Sequence, residues 1–125
     1  MQSLRTKILI VEDDDNSREM LKILLEGQGY TIFCAGEGSE GFHMAKDEQP
    51  DLIITDLMMP GVDGFGLIRR LRQEVTTAAI PVIVFTAYAD VEKPAARQLG
   101  ANDIAYKPIQ VDKLFAMISQ WLMPH

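Results

Sequence analysis

Short, dense apolar runs recur along the chain, separated by longer stretches in which apolar residues return every third or fourth position. The runs are Lys7–Val11, Thr31–Ala35, Asp51–Thr55, Pro81–Phe85 and Asp103–Tyr106. Three of them are nearly continuous Ile, Leu and Val, the pattern of strands covered on both faces in a parallel sheet. Between the first two runs, Met20, Leu21, Leu24 and Leu25 share one helical face, and Gly27 and Gly29 supply stop signals. Ser39–Glu48 predicts a second helix with Phe42 and Ala45 inward, weakened by Gly41. Phe65, Ile68 and Leu71 mark a third. A fourth, over Asp90–Leu99, is shortened by Pro94, which removes a donor near the first turn. In the last helix Val111, Leu114, Phe115, Ile118, Trp121 and Leu122 fall on one stripe.

The order is therefore strand–helix repeated five times, an α/β chain. Right-handed crossovers fold such a chain into a parallel sheet with helices on both faces. For five strands the expected order is the flavodoxin-like 2-1-3-4-5. No linker, repeat or biased segment interrupts residues 1–125, so one domain is expected. With 47% apolar and 24% charged residues, the chain can bury a core and is not a disordered tail.

The formal net charge of −6 and the lack of a basic stripe argue against direct nucleic-acid binding. No apolar run approaches the ~18 residues of a membrane span, and no signal peptide is evident. The single cysteine, Cys34, lies in an apolar run and reads as a small buried hydrophobe. One cysteine cannot form a disulfide within the chain, in keeping with a cytoplasmic location.

In folds of this kind, function sits at the carboxyl ends of the strands. Here strand 1 ends in Glu12-Asp13-Asp14-Asp15, strand 3 in Asp56, strand 4 in Thr86 and strand 5 in Lys107. Converging carboxylates repel unless a cation neutralises them, and oxygen ligands suit a hard divalent ion. Mg2+ takes one or two carboxylates, keeps waters and leaves room for a phosphate. A lysine and a hydroxyl beside such a site complete what phosphoryl transfer needs, since its catalysis is mainly positioning and charge neutralisation. Blander roles suit the other polar residues. Asp15 or Asn16 caps the first helix, with Glu19 as a capping-box partner, and Asp14 and Asp15 serve in capping or solvation. Asp63 forms a turn. His43 and His125 have no partners at metal-binding spacing.

The blocks Ile8–Asp14, Asp51–Gly64, Val84–Ala87 and Gly100-Ala101 followed by Lys107-Pro108 resemble the signatures of response-regulator receiver domains, in order and across the whole chain. The resemblance implies that Asp56 is the nucleophile that forms an aspartyl phosphate. It makes Asp13, Asp56 and the Met58 carbonyl direct Mg2+ ligands and places Glu12 behind a water. Thr86 and Lys107 would bind the phosphoryl oxygens, and the Lys107–Pro108 bond would be cis. The phosphodonor would be a sensor histidine kinase, a phosphotransfer protein or a small donor such as acetyl phosphate. The target would be a downstream protein or an attached output domain, with helix 4, strand 5 and helix 5 as a candidate homodimer surface. Such a chain is a signalling phosphoacceptor, catalysing only its own phosphotransfer and dephosphorylation. Nothing after His125 supplies an effector, so the chain is either a stand-alone regulator or part of a longer protein.

Two positions depart from the family pattern. Ile104 stands where receivers carry Tyr or Phe, with Tyr106 two residues later on the same strand face, and Ile109 replaces the aromatic after Lys-Pro. Three other readings compete. A haloacid-dehalogenase-type phosphatase needs a second acid at position 58, which is Met. A flavin carrier needs Ser, Thr and Gly after strand 1, where this chain is acidic. A degenerate receiver serving only as a binding module would have lost one of the acids, the threonine or the lysine, and all are present.

Overall fold

The computed structural model describes residues 5–57 and 63–123, so Met58 and His125 lie outside the described residues. The elements alternate as β1 (Lys7–Val11), α1 (Asp15–Glu26), β2 (Thr31–Ala35), α2 (Gly38–Glu48), β3 (Leu52–Thr55), α3 (Gly64–Gln73), β4 (Val82–Thr86), α4 (Lys93–Gln98), β5 (Asp103–Tyr106) and α5 (Val111–Leu122). All strand pairs are parallel and the sheet order is β2-β1-β3-β4-β5, as the sequence predicts. β3 and β4 each begin one residue later than expected, after Asp51 and Pro81.

The alternation of strand side chains sorts the core into two layers. Ile8, Ile10, Leu52, Ile54 and Ile83 face α1 and α5, where they meet Leu21, Leu25, Leu114 and Ile118. Leu9, Val11, Ile53, Val82, Val84 and Ile104 pack on the other side, against Phe42, Ala45, Leu67, Ile68, Leu71 and Ala96 of α2, α3 and α4. Burial on both faces explains why β1, β3 and β4 read as unbroken apolar runs.

Several local expectations are corrected. Of the capping candidates, Asp14 and not the favoured Asp15 or Asn16 is the N-cap of α1: its Oδ2 accepts the Ser17 N–H at 2.8 Å. The reciprocal bond to the cap N–H comes from upstream, where Glu12 Oε2 accepts from Asp14 N at 3.2 Å, so Glu19 closes no capping box. Asp15 is helical and pairs with Arg18. Asp63 caps α3 by accepting from Gly66 N at 2.9 Å. Helix α1 buries Leu21 and Leu25, whereas Met20 is exposed. Val111 is also exposed, because it starts α5 ahead of the buried Leu114 and Ile118. Helix α4 spans only six residues, with Pro94 in its first turn. Cys34 is half-buried, and desolvation pushes its thiol pKa up, so its thiolate is disfavoured.

Candidate functional site

Sheet register determines which side chains meet. Val11 pairs with Thr55 across β1 and β3, so Glu12 and Asp56 leave the sheet side by side. Their backbones prolong the ladder: Asp56 N donates to Val11 O at 3.1 Å and Glu12 N to Ala35 O at 3.0 Å. On the other side Thr86 pairs with Tyr106, and Lys107 N donates to Thr86 O at 2.8 Å. That bond turns Lys107 back over the strand ends, and the Lys107–Pro108 peptide is cis, as expected.

Lys107 Nζ joins the two acids, donating to Glu12 Oε1 at 2.7 Å and to Asp56 Oδ2 at 3.0 Å. The other Asp56 oxygen, Oδ1, accepts the Leu57 N–H at 2.6 Å. Glu12 is buried, and desolvation raises its pKa against the opposing pull of Lys107. Burial alone would lower the Lys107 pKa, but its bonds to Glu12 and Asp56 outweigh this and raise it. The ammonium thus stays charged between two acids. Thr86 is fully buried, and its Oγ1 accepts the Tyr88 N–H at 3.2 Å, which holds the hydroxyl beside the start of the β4–α4 loop.

Glu12, Asp56 and Lys107 are therefore in direct contact, with Thr86 tied to Lys107 through the backbone. Asp13 follows Glu12 at the same strand end and is exposed. Met58 falls outside the described residues. Among the described residues no three His, Cys, Asp or Glu side chains cluster tightly enough to hold a metal unaided. That smaller set still fits Mg2+, which takes one or two carboxylates and fills its remaining positions with water and phosphate oxygens.

Some residues that shape the site are not evident as such in the sequence. Gly64, at the start of α3, lies against the Asp56–Leu57 peptide, and its N–H donates to Leu57 O at 2.9 Å. The Phe85 ring lies under the Lys107 ammonium. The Tyr106 hydroxyl donates to the Val91 carbonyl in the loop before α4. Asp103, buried at the start of β5, accepts from Trp121 Nε1 and Lys93 Nζ, each at 2.9 Å, and so links α5, β5 and α4. A polar residue opening a strand was the one available signal for Asp103.

Residues 8–119 match the response regulator receiver domain. The transcriptional regulatory protein AfsQ1 of Streptomyces coelicolor is 38% identical over 112 residues, covering 89% of this chain and 48% of that protein. The chain spans about half the length of the first curated relatives it matches. The signal receiver domain of a Syntrophus aciditrophicus signal transduction histidine kinase superposes with a TM-score of 0.85 at 35% identity, covering 94% of this chain and 89% of that one. The receiver domain of the sensor histidine kinase PA1611 from Pseudomonas aeruginosa, with a magnesium ion coordinated in its active-site cleft, gives 0.86 at 26% identity, covering 95% and 98%. With a matching family model over most of its length, the same sheet order and its acids and lysine joined at the strand ends, the chain belongs to the response regulator receiver domains.

Proposed function

We propose that Asp56 accepts a phosphoryl group from the phosphohistidine of a sensor kinase or phosphotransfer protein, or from acetyl phosphate, in a Mg2+-dependent reaction. The observation that carries this reading is the single ammonium of Lys107 hydrogen-bonded to both Glu12 and Asp56. An Asp56 carboxylate oxygen attacks phosphorus, and the donor's nitrogen or acetate leaves with the bonding pair. Lys107 then shifts a hydrogen bond from a carboxylate to a phosphoryl oxygen, while Thr86 donates its hydroxyl proton to another, its Oγ1 still able to accept the Tyr88 N–H. Asp13, Asp56 and the Met58 carbonyl would hold Mg2+ directly, and Glu12 through water. When bound, the ion neutralises charge that the acids and the phosphoryl group share.

Chemistry confined to its own phosphorylation and dephosphorylation makes the domain a switch and not a turnover enzyme. Its output is an attached domain or a separate protein target, and the face of α4, β5 and α5 is the surface for that target or for a second copy. Among the described residues no helix is long and apolar enough to cross a membrane. A cytoplasmic setting beside the kinase follows from this reading. The alternative of a degenerate, unphosphorylated module is disfavoured because none of the acids, the threonine or the lysine has been lost.

Intact-mass measurement after treatment with acetyl phosphate and Mg2+ tests the proposal. One phosphoryl group should be added to the parent and none to Asp56→Asn, and chelation of Mg2+ should abolish labelling. Full labelling of Asp56→Asn, or indifference to chelation, would refute it.

A further inference from the structure

We infer that Phe85 is a positioning residue for Lys107, its ring keeping the ammonium over the acceptor site while the hydrogen bonds of that ammonium exchange. The inference rests on the proposed roles of Asp56 and Lys107. Lys107 Nζ stands over the Phe85 ring, 5.3 Å from its centroid, within reach of cation–ring attraction. Strand alternation fixes the ring: Val84 and Thr86 point to one side of β4, and Phe85 points with Ile83 into the layer beneath α1 and α5.

The contact matters because Lys107 has somewhere else to go. Phe85 and Lys107 both border a cavity of about 450 Å3 that also touches Ser17, Leu21, Ala87 and Ile109. A lysine carries its charge on a flexible four-carbon stem, so nothing in the stem itself prevents a swing into that space. The two carboxylate bonds hold it at rest, but hydrogen bonds are directional, and at least one must break when a phosphoryl oxygen becomes the acceptor. Attraction to a ring face tolerates such a shift and persists through it. Neither carboxylate can do the same, because Asp56 is the proposed reacting group and Glu12 holds the ammonium only through one directional hydrogen bond.

The test compares initial labelling rates by acetyl phosphate with Mg2+ in the parent, Phe85→Tyr, Phe85→Leu, and proteins with progressively fluorinated phenylalanine at position 85. Leucine keeps apolar bulk but removes the ring face, and labelling should slow about three- to tenfold. Tyrosine should restore the rate to within about twofold of the parent. Fluorination keeps the shape and drains the ring face of negative charge, so rates should fall stepwise. Equal rates for a folded Phe85→Leu, or a flat fluorination series, would overturn the inference. If Phe85→Leu does not fold, the fluorinated series decides. A separate readout needs no phosphodonor: the Lys107 Cε protons should show an upfield ring-current shift in the parent that is lost with leucine and kept with tyrosine. If the parent takes no phosphoryl group, the proposed function has failed, while the ring-current shift still decides the Phe85 contact. Absence of that shift from the parent would overturn it.

Discussion

Replacing Gly64 with alanine should damage phosphoryl acceptance more than it damages the fold. A Cβ built at Gly64 would lie 2.1 Å from the Asp56 carbonyl oxygen, 2.6 Å from Leu57 Cα and 3.0 Å from the Asp56 carbonyl carbon. All three are backbone atoms of the residue proposed as acceptor or of its neighbour, so no flexible side chain can give way. Either α3 backs off, straining the Gly64 N–H bond to Leu57 O, or the Asp56–Leu57 peptide rotates, and about 1 Å of movement is needed. Overpacking of this kind costs about 1–3 kcal/mol. A domain of this size has ~5–15 kcal/mol of stability and should remain folded.

As the proposed acceptor, by contrast, Asp56 would have to present one oxygen in line with phosphorus from a carboxylate whose Oδ1 accepts the Leu57 N–H and whose Oδ2 faces Lys107. A misplacement of ~1 Å at a reacting centre can cost on the order of 100-fold in rate. We expect labelling to slow at least tenfold, with a urea midpoint lowered in step with a loss of about 1–3 kcal/mol. Gly36→Ala is a matched control, because its Cβ would meet nothing closer than Arg18 Nη1 at 3.6 Å. Gly29→Ala is a second: φ is +95° there with no atom within 4 Å, so it should lose stability by strain while labelling at the parent rate. A Gly64→Ala protein that loses stability but keeps the parent's labelling rate would refute the link between this glycine and the geometry of Asp56.

Asp103→Asn should lower stability by about 1–3 kcal/mol at pH 7, because a buried charged acceptor for Trp121 and Lys93 is lost. Burial alone would raise the Asp103 pKa, but its hydrogen bonds from Trp121 and Lys93 outweigh this and lower it below the usual 3.8. Its contribution is therefore complete above that value and is lost as pH falls through the lowered one; urea titrations of parent and variant should converge only in strong acid, and convergence near pH 6 would contradict the assignment. Tyr106→Phe should speed amide exchange in residues 87–92, where the hydroxyl holds Val91, and beryllium fluoride should change protection in the same loop and at the start of α4. Changes centred instead on Ile104 and α5 would refute that route. The aspartyl phosphate should outlive that of a Met58→Asn, Tyr88→Glu double variant, since neither Met nor the exposed Tyr88 can position water as an acid does; equal decay rates would remove the argument.

The fold was legible because its rules are periodic. Burial on both faces makes β1, β3 and β4 continuous runs of Ile, Leu and Val, and the strand–helix alternation leaves few topologies open. The meeting of Glu12, Asp56 and Lys107 was legible for a related reason: parallel strands deliver their carboxyl ends to one rim, so position after a strand substitutes for a contact map. What stayed hidden depends on side-chain direction and on close approach. The four-acid run after β1 offered several capping residues and could not single out Asp14, because the cap is the last residue to keep extended geometry and that point is set by where the helix begins. Gly64 looks like any turn glycine until α3 is seen pressed on the Asp56 carbonyl.

The β4–α4 loop shows where reasoning by residue type reaches its limit. Ile104 is buried in the layer shared with α2, α3 and α4, so the position that holds the family's aromatic is filled by an aliphatic side chain. Tyr106 lies on the same face two residues later, and its ring packs beside that layer while its hydroxyl reaches Val91. The same loop is held at its other end by Thr86, which accepts the Tyr88 N–H. A phosphoryl oxygen on Asp56 would accept the Thr86 O–H and draw that side chain toward Asp56, pulling on the Tyr88 N–H that Thr86 Oγ1 accepts, while the Tyr106 bond tethers the far end of the loop. Helix α4 adds little resistance: it is six residues long, and its N-cap, Glu92, makes no side-chain capping bond. Sequence places an aromatic on this face of β5. Only the backbone path from Tyr88 to Val91 turns it into a tether on the segment that Thr86 would move.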